Sequence, residues 1–491
     1  MAPDKKRTIL DRSELPVNIG RDVFTSGVIS RETMIACLQI LRRFAEQLSS
    51  WGILPRDTIV MGTSAVREAS NRDPFVDRVK IKTGFTVSVI DGIEENRLMY
   101  IAVSECLQDV VLNGENIQQS DSIILEIAGG TTEMMLMENG RMAGAHSIRL
   151  GTVIIEQQVR SVMGGMDDAR SFIEEFIRNS ETQFNAEMNL EKVRNFIAVG
   201  NDMKIAALFT GKSVSPFLWQ IQREDFDRFA DEILRYSIEE VIAKFKLSYS
   251  DAQSFKISIL TYKYFIQLTN ASFIIVPETS LREGVLISRA ATSSGELQKE
   301  FSAQVVASAT ALLRKFQGDE KHAEYVRNMA LRIYDSMQME LGLPVHTRLL
   351  LEIASILHDV GMFIGAKNHN IHSEYIIKNS EIFGLSRDDI SIVAQIARYH
   401  RGSKTPSDDS DFKLLPRETR MTILKLTSIL RVADALDRGH RQKLTDFTIN
   451  FAKDSITFRV KARTNLNLEK LATEEKGELF ENVFGYKIVL V

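Results

Sequence analysis

Ile123-Ile124-Leu125-Glu126-Ile127-Ala128-Gly129-Gly130-Thr131-Thr132-Glu133-Met134-Met135-Leu136-Met137 reads as strand, tight polar turn, strand. Ile123 to Ile127 is an apolar run rich in β-branched residues, as a buried strand requires. Met134 to Met137 returns as its partner. Between them stand Gly129 and Gly130, Thr131 and Thr132, with Glu126 and Glu133 on either side. Glycines let a backbone approach a ligand closely and aim N–H groups at an anion. Threonine hydroxyls add donors. The carboxylates repel phosphate but can hold a divalent cation that binds it. A β-hairpin with a Gly-Gly turn is the competing reading of the same residues.

Working outward, strand and helix patterns alternate on both sides. Ser30 caps a predicted helix to about Ser50, with Met34, Leu38, Leu41, Ala45 and Leu48 at helical spacing. Thr58 to Gly62 and Phe85 to Ile90 read as strands, the second leading through Asp91-Gly92 into a helix from about Glu94 to Cys106. Beyond the central stretch come helices at about Val153 to Val162 and Asp167 to Ser180, and a strand at Asn195 to Gly200. Helical pattern follows at Phe226 to Phe245 and Ser250 to Leu268, then a strand at Ser272 to Val276. This alternation predicts an α/β architecture. From about Phe301 to Gly439 the pattern is helical, and every histidine except His146 lies between His322 and His440. From Thr445 the tail alternates as strands around a short charged helix. The expected division is 1–112, 113–294, 295–440 and 441–491, with a boundary at Thr292 to Gly295.

Composition narrows the function classes. The chain has 491 residues, 44% apolar and 26% charged, with a net charge of −4. Such a balance gives no global field to attract nucleic acid, so a polyanion site must be a local basic patch. Cys37 and Cys106 form no CxxC, which fits a reducing cytoplasm and no disulfide framework. No apolar run approaches the roughly 20 residues that span a bilayer, and Met1 to Leu15 is too polar for a signal peptide.

Other segments suit phosphate chemistry. Thr63-Ser64-Ala65-Val66-Arg67-Glu68-Ala69 puts hydroxyls and an arginine at a strand-to-helix turn, a geometry for an oxyanion or equally a capped helix with a surface arginine. Ile90-Asp91-Gly92-Ile93-Glu94-Glu95 puts carboxylates in a first helical turn, either as a water-orienting base or as dipole partners. Ser280-Leu281-Arg282-Glu283-Gly284 is equally a structural Arg–Glu pair.

The order TSAVREASNRDPF (63–75), IDGIEENRL (90–98), EIAGGTTEM (126–134), SLREGVL (280–286) resembles the exopolyphosphatase / guanosine pentaphosphate phosphohydrolase family. The resemblance continues through LHDVGMFIGAKNHNIHSEYIIKNS (357–380), ARYHRG (397–402), LRVADALDRGH (430–440) and FENVFGYKIVL (480–490). It implies a two-lobed actin/Hsp70-like ATPase fold, an all-α HD-like extension, a small α+β C-terminal lobe and a homodimer. The implied activity is Mg²⁺-dependent hydrolysis of phosphoanhydride bonds, in inorganic polyphosphate or guanosine pentaphosphate. By position, Glu95 matches the family's catalytic glutamate, and Glu126 and Glu133 its metal-associated carboxylates. Gly129, Gly130, Thr131 and Thr132 match its phosphate turn, and Arg67 the arginine across the cleft. Phosphoryl transfer needs chiefly positioning and charge neutralisation, which these residue types supply.

Three departures stand out. The family's first phosphate loop, Asp–x–Gly–Ser–Asn–Ser, has no counterpart, because the chain starts at Arg7-Thr8-Ile9-Leu10-Asp11 where the family is past it; the first lobe is therefore expected to be truncated. The second loop carries Glu126 and Ala128 for the usual Asp and Gly, and Gly200-Asn201-Asp202 replaces a glycine pair. A catalytically weak polyphosphate- or alarmone-binding protein is accordingly the competing reading.

In the helical region, His322, His358-Asp359 and Asp434 follow the H…HD…D order of HD-domain metallohydrolases. Two imidazoles and two carboxylates can hold Mn²⁺, Mg²⁺ or Fe²⁺, with His369, His372 and His400 as further candidates. A hydrogen-bonded His/Asp core is the alternative, and an HD phosphohydrolase would be the corresponding activity. Arg398, His400, Arg401 and Lys404 form a basic cluster, suited to a polyanion or to a solvated helix end.

Overall fold

The computed structural model describes residues 10–161, 165–291, 295–401, 406, 409–444, 447–452, 454–460 and 465–491. Residues 1–9, Val162, the Thr292 to Ser294 part of the expected boundary, Lys404 and Thr445 lie outside them. The chain divides into two compact units, Met1–Gln298 and Lys299–Val491.

The strands in chain order are β1 Val60–Gly62, β2 Val87–Val89, β3 Val111–Leu112, β4 Glu115–Asn116, β5 Ser122–Ile127, β6 Thr132–Glu138 and β7 Arg141–Ile148. They continue as β8 Asn195–Val199, β9 Lys212–Ser215, β10 Leu218–Gln222, β11 Phe273–Pro277, β12 Phe447–Phe451, β13 Ser455–Val460 and β14 Lys487–Leu490. In the first unit β5 is an inner strand of a seven-stranded sheet ordered β7-β6-β5-β8-β11-β10-β9. It pairs antiparallel with β6 and parallel with β8. Covered on both faces, β5 needs an unbroken apolar run, and Ile123, Ile124 and Leu125 are all buried. A small parallel pair, β1 with β2, is bordered by the helices Arg31–Ser50 and Arg72–Thr83 over a separate core of Met34, Cys37, Phe75, Val79 and Phe85. Ser30 caps the first of these helices by accepting from Thr33 N–H.

The helix Gly92–Cys106 carries the acidic first turn, and its packing explains the SLREGVL segment. A Cβ on Gly284 would lie 2.1 Å from the Leu98 carbonyl oxygen, so glycine lets the helix Leu281–Ala291 approach backbone to backbone. Arg97 hydrogen-bonds Ser288 across the same crossing. Gly284→Ala is expected to destabilise the protein by about 1–3 kcal/mol through overpacking, measurable by urea unfolding. Because Leu98 lies within a turn of Glu95, phosphate release should fall with it.

In the second unit the helices Glu320–Ser336, Thr347–Leu357, Arg387–Tyr399 and Arg417–Ala435 pack around Val326, Ile333, Leu350, Ile353, Val393, Ile396, Leu426 and Ile429. The helix Arg417–Ala435 also contacts the helices Asn467–Lys476 and Glu478–Phe484, which accompany the sheet β12-β13-β14. Among the described residues no helix is long and apolar enough to cross a membrane.

Candidate functional site

In the first unit, caps sort the acidic residues. Asp91 accepts from Glu94 N–H at 2.8 Å and closes the start of the helix Gly92–Cys106. Glu94 is held by Arg97 through two contacts of 2.6 Å. Glu95 is left to face the helix Ser64–Glu68. Its Oε1 accepts from Ser64 N–H and from Arg67 Nη1, each at 3.0 Å. Arg67 Nη1 also donates to the Ile90 carbonyl at 2.7 Å, so one guanidinium nitrogen ties the β2 end to Glu95. Burial raises the Glu95 carboxyl above its ordinary range, and the Arg67 charge and hydrogen bonds oppose that.

The central turn joins β5 to β6 with Ala128 N–H donating to Thr131 C=O at 2.9 Å. Neither Ala128 nor the two glycines after it has a positive φ, so alanine at 128 costs the turn nothing. Gly130 is needed for space. A Cβ on Gly130 would stand 2.3 Å from Cζ of Phe24, whose ring covers the turn from the helix Ile19–Ser26. The Ala128 and Gly129 carbonyls accept from Thr152 and Val153 N–H at 3.0 and 2.9 Å, the start of the helix Thr152–Ser161. The N–H groups of Gly129 and Gly130 meet no acceptor among the described residues.

The threonines are placed for shape. Thr132 is wholly buried and donates its hydroxyl to Leu150 C=O at 2.7 Å. Thr131 is buried and hydrogen-bonds Glu133. Of the residues read as phosphate-binding, Gly129 and Gly130 therefore keep free donors, and the Thr132 hydroxyl does not.

Glu126 and Glu133 face each other in register across β5 and β6. Burial lifts Glu126 to about 7, with Glu133 and Glu95 adding repulsion and Lys204 opposing it. Burial also lifts Glu133 to about 7, against hydrogen bonds from Ser147, Thr131 and Asn96. Ser147 Oγ reaches Glu133 Oε1 at 2.7 Å, while Oε2 is buried without a hydrogen-bond partner. Three mutually repelling carboxylates and an orphaned oxygen suit a bound divalent cation. Tyr262 fixes the strand ends beneath them. Its hydroxyl accepts from Ile127 N–H at 3.2 Å and donates to Val199 C=O at 2.5 Å.

In the second unit His322, His358, Asp359 and Asp434 meet, and His369 and His400 join them. His322 Nε2 lies 3.5 Å from Asp434 Oδ1 and 4.0 Å from Asp359 Oδ2. His358 Nε2 lies 3.7 Å from Asp359 Oδ2 and 4.0 Å from Asp434 Oδ1. On the other side of the same carboxylate, Asp359 Oδ1 is 3.1 Å from His369 Nε2 and 3.3 Å from His400 Nε2. His322 Nδ1 is held by Asp437 Oδ2 at 2.9 Å, and His440 stacks on the His322 ring at 3.7 Å. Burial drives His358 down to about 4, whereas His322 rises to about 9 because Asp434, Asp437 and Asp359 outweigh its burial. Lys476 pairs with Asp434. His346 and His372 take no part in the cluster. Of the expected basic cluster, Arg398 is paired with Glu374 and Asp409, and Arg401 Nη1 lies 3.2 Å from His369 Nδ1.

Sequence reasoning missed Ser147, Lys204, Tyr262, Phe24, Asp437 and Lys476. Asp437 alone carried a local signal, one turn after Asp434 in LRVADALDRGH. The others reach their sites from distant segments.

Two family models match the chain, the Ppx/GppA phosphatase family over residues 3–293 and the Ppx/GppA phosphatase domain III over residues 306–477. A guanosine-5'-triphosphate,3'-diphosphate pyrophosphatase of Photobacterium profundum is 23% identical over 463 residues, covering 91% of this chain and 85% of the relative. The protein of that name from Pseudoalteromonas translucida is 21% identical, covering 98% of this chain and 93% of its own length. Among solved structures, an exopolyphosphatase from Cytophaga hutchinsonii superposes with a TM-score of 0.52 at 21% identity, covering 60% of this chain and 92% of that one. The fold is accordingly of the actin-like ATPase type. With both models together spanning most of its length, the chain belongs to the Ppx/GppA phosphatase family.

Proposed function

We propose that the protein is a phosphoanhydride hydrolase that removes the terminal phosphate of inorganic polyphosphate. The observation that carries this is the meeting of Glu95 and Arg67 with the Glu126–Glu133 pair, beside the free N–H groups of Gly129 and Gly130. Glu95 accepts a proton from water as the water oxygen bonds to the terminal phosphorus. The P–O bond to the penultimate phosphate breaks, and its electron pair leaves on that oxygen. Arg67 opposes the rise that burial imposes on the Glu95 carboxyl and orients it through the shared hydrogen bond. The backbone N–H groups of Gly129 and Gly130 receive terminal phosphate oxygens. Mg²⁺ held by Glu126 and Glu133 would supply neutralisation of the phosphate charge.

Guanosine pentaphosphate is the second reading, favoured by the activity for which the relatives from Photobacterium profundum and Pseudoalteromonas translucida are named. Either substrate presents a terminal phosphoanhydride to the same groups. Phosphate release from long-chain polyphosphate and from guanosine pentaphosphate, each with Mg²⁺, tests the assignment. Faster turnover of polyphosphate is expected. Turnover of the nucleotide alone would transfer the assignment to it, and turnover of neither would leave a binding cleft.

A further inference from the structure

The glycine turn has a closed side. We propose that Phe24 confines this protein to the ends of phosphate chains, as an apolar wall behind the position of the terminal phosphate. The inference rests on the hydrolase reading above and adds a specificity determinant to it.

The helix Ile19–Ser26 places the ring. Val23 is buried with Phe75 and Val79. Phe24, about 100° further round the helix, meets the turn instead. A Cβ on Gly130 would lie 2.3 Å from Phe24 Cζ, 2.5 Å from Cε1 and 2.9 Å from Cε2, and one on Gly129 would lie 3.6 Å from Cε2. The ring therefore fills the space that a side chain on the turn would take. The surroundings of the ring are apolar too. A Cβ on Gly20 would lie 3.4 Å from Phe24 Cε2 and 3.9 Å from Ala65 Cβ, and Val153 Cγ2 is 3.4 Å from the Cβ position of Gly129.

None of these side chains carries a hydrogen-bond donor. Every unit of a phosphate chain is charged, and an unpaired charge in such a space is strongly disfavoured. The free N–H groups of Gly129 and Gly130 receive one phosphate, and the side chains around the ring do not continue that path. An end unit has one bridging oxygen and fits. An interior unit has two, and the second bridge would have to enter the space of the ring.

The wall is held on both sides. Arg21 Nη2 pairs with Glu156 Oε2 at 3.2 Å, and Gln157 Nε2 donates to Thr25 Oγ1 at 2.5 Å. Both partners belong to the helix Thr152–Ser161, whose first N–H groups bind the carbonyls of the turn. Opposite, Asp22 Oδ2 accepts from Ser30 N–H and Gly27 C=O from Ser70 N–H, each at 2.9 Å. These contacts bracket Phe24 along the chain, so the ring is a fixed surface.

The test uses three substrates with Mg²⁺: long-chain polyphosphate, the same chain with both ends blocked as phosphoramidates, and cyclic trimetaphosphate, which has no end. Gel electrophoresis and ³¹P NMR resolve the products. The parent should release orthophosphate from the first substrate alone. Phe24→Ala should also cleave inside chains. Water then bonds to an interior phosphorus, Glu95 takes its proton, and the P–O–P bridge to one neighbour breaks, leaving two shorter chains. The variant should open trimetaphosphate to linear triphosphate and cut the blocked chain at least roughly tenfold faster than the parent, the scale on which apolar bulk discriminates between substrates. Phe24→Leu, which keeps much of the bulk, should resemble the parent. Urea unfolding checks that Phe24→Ala folds, and Phe24→Val replaces it if it does not. Cleavage of the blocked or cyclic substrate by the parent would overturn the proposal. So would orthophosphate as the sole product of the variant without the ring, whatever its rate. Turnover of none of the three by any form would remove the hydrolase reading, and the proposal with it.

Discussion

Glu95→Gln is expected to lower phosphate release from polyphosphate by about 10²–10⁴-fold, the usual contribution of a positioned general base, with little change in KM. The substitution is nearly isosteric. A glutamine oxygen can still accept from Ser64 N–H and from Arg67 Nη1, the two groups that hold Glu95 Oε1 at 3.0 Å. The local fold should survive, while the charge that takes the proton of water is lost. Unfolding curves of the variant and the parent should therefore nearly coincide. A large stability change would instead assign Glu95 a structural role. If the cleft is not the site of hydrolysis, Glu95→Gln will leave turnover unchanged. Asp359→Ala in the second unit would then abolish it.

The β5–β6 pair was legible because both faces of these strands are covered, which forces apolar runs that no helical period imitates. β7 was not read as a strand, since its sequence includes Arg141, Gly144 and His146. It is stable there because His146 is paired with Glu187 at 2.6 Å, a partner 41 residues away. Lys212–Ser215 is an exposed edge strand without an apolar signature. The choice of Glu95 over Glu94 came from family resemblance, and the physical reason is the Asp91 cap with the Glu94–Arg97 pair. The Thr132 hydroxyl was misjudged for want of Leu150, whose carbonyl takes it. In the second unit histidines and aspartates stood out against apolar helices, so the cluster was visible in outline. Its double-sided use of Asp359 needed three dimensions.

Mg²⁺ is expected to stabilise the first unit far more at pH 8 than at pH 5.5. Glu126 and Glu133 sit at about 7 in the folded chain, against about 4.3 for an unperturbed glutamate. Below the unperturbed value both states hold these protons, and the groups contribute no pH dependence. Between there and about pH 7 the unfolded chain releases protons that the folded chain retains. Stability therefore falls as pH rises, by up to about 1.4 kcal/mol per pH unit for each group. Above pH 7 the whole penalty is in place, a few kcal/mol for the coupled pair. A divalent cation replaces the protons and removes the repulsion, so its benefit grows as the penalty does. In thermal unfolding, the metal-free protein should lose midpoint temperature from pH 5.5 to pH 8 relative to Glu133→Gln, which lacks one of the raised groups. Added Mg²⁺ should restore the loss in the parent and little of it in the variant. An Mg²⁺ shift equal at both pH values, or retained in Glu133→Gln, would place the cation elsewhere. A calorimetric Mg²⁺ titration should release protons near pH 6.5, because the pair then still holds them and the cation cannot share its oxygens with them.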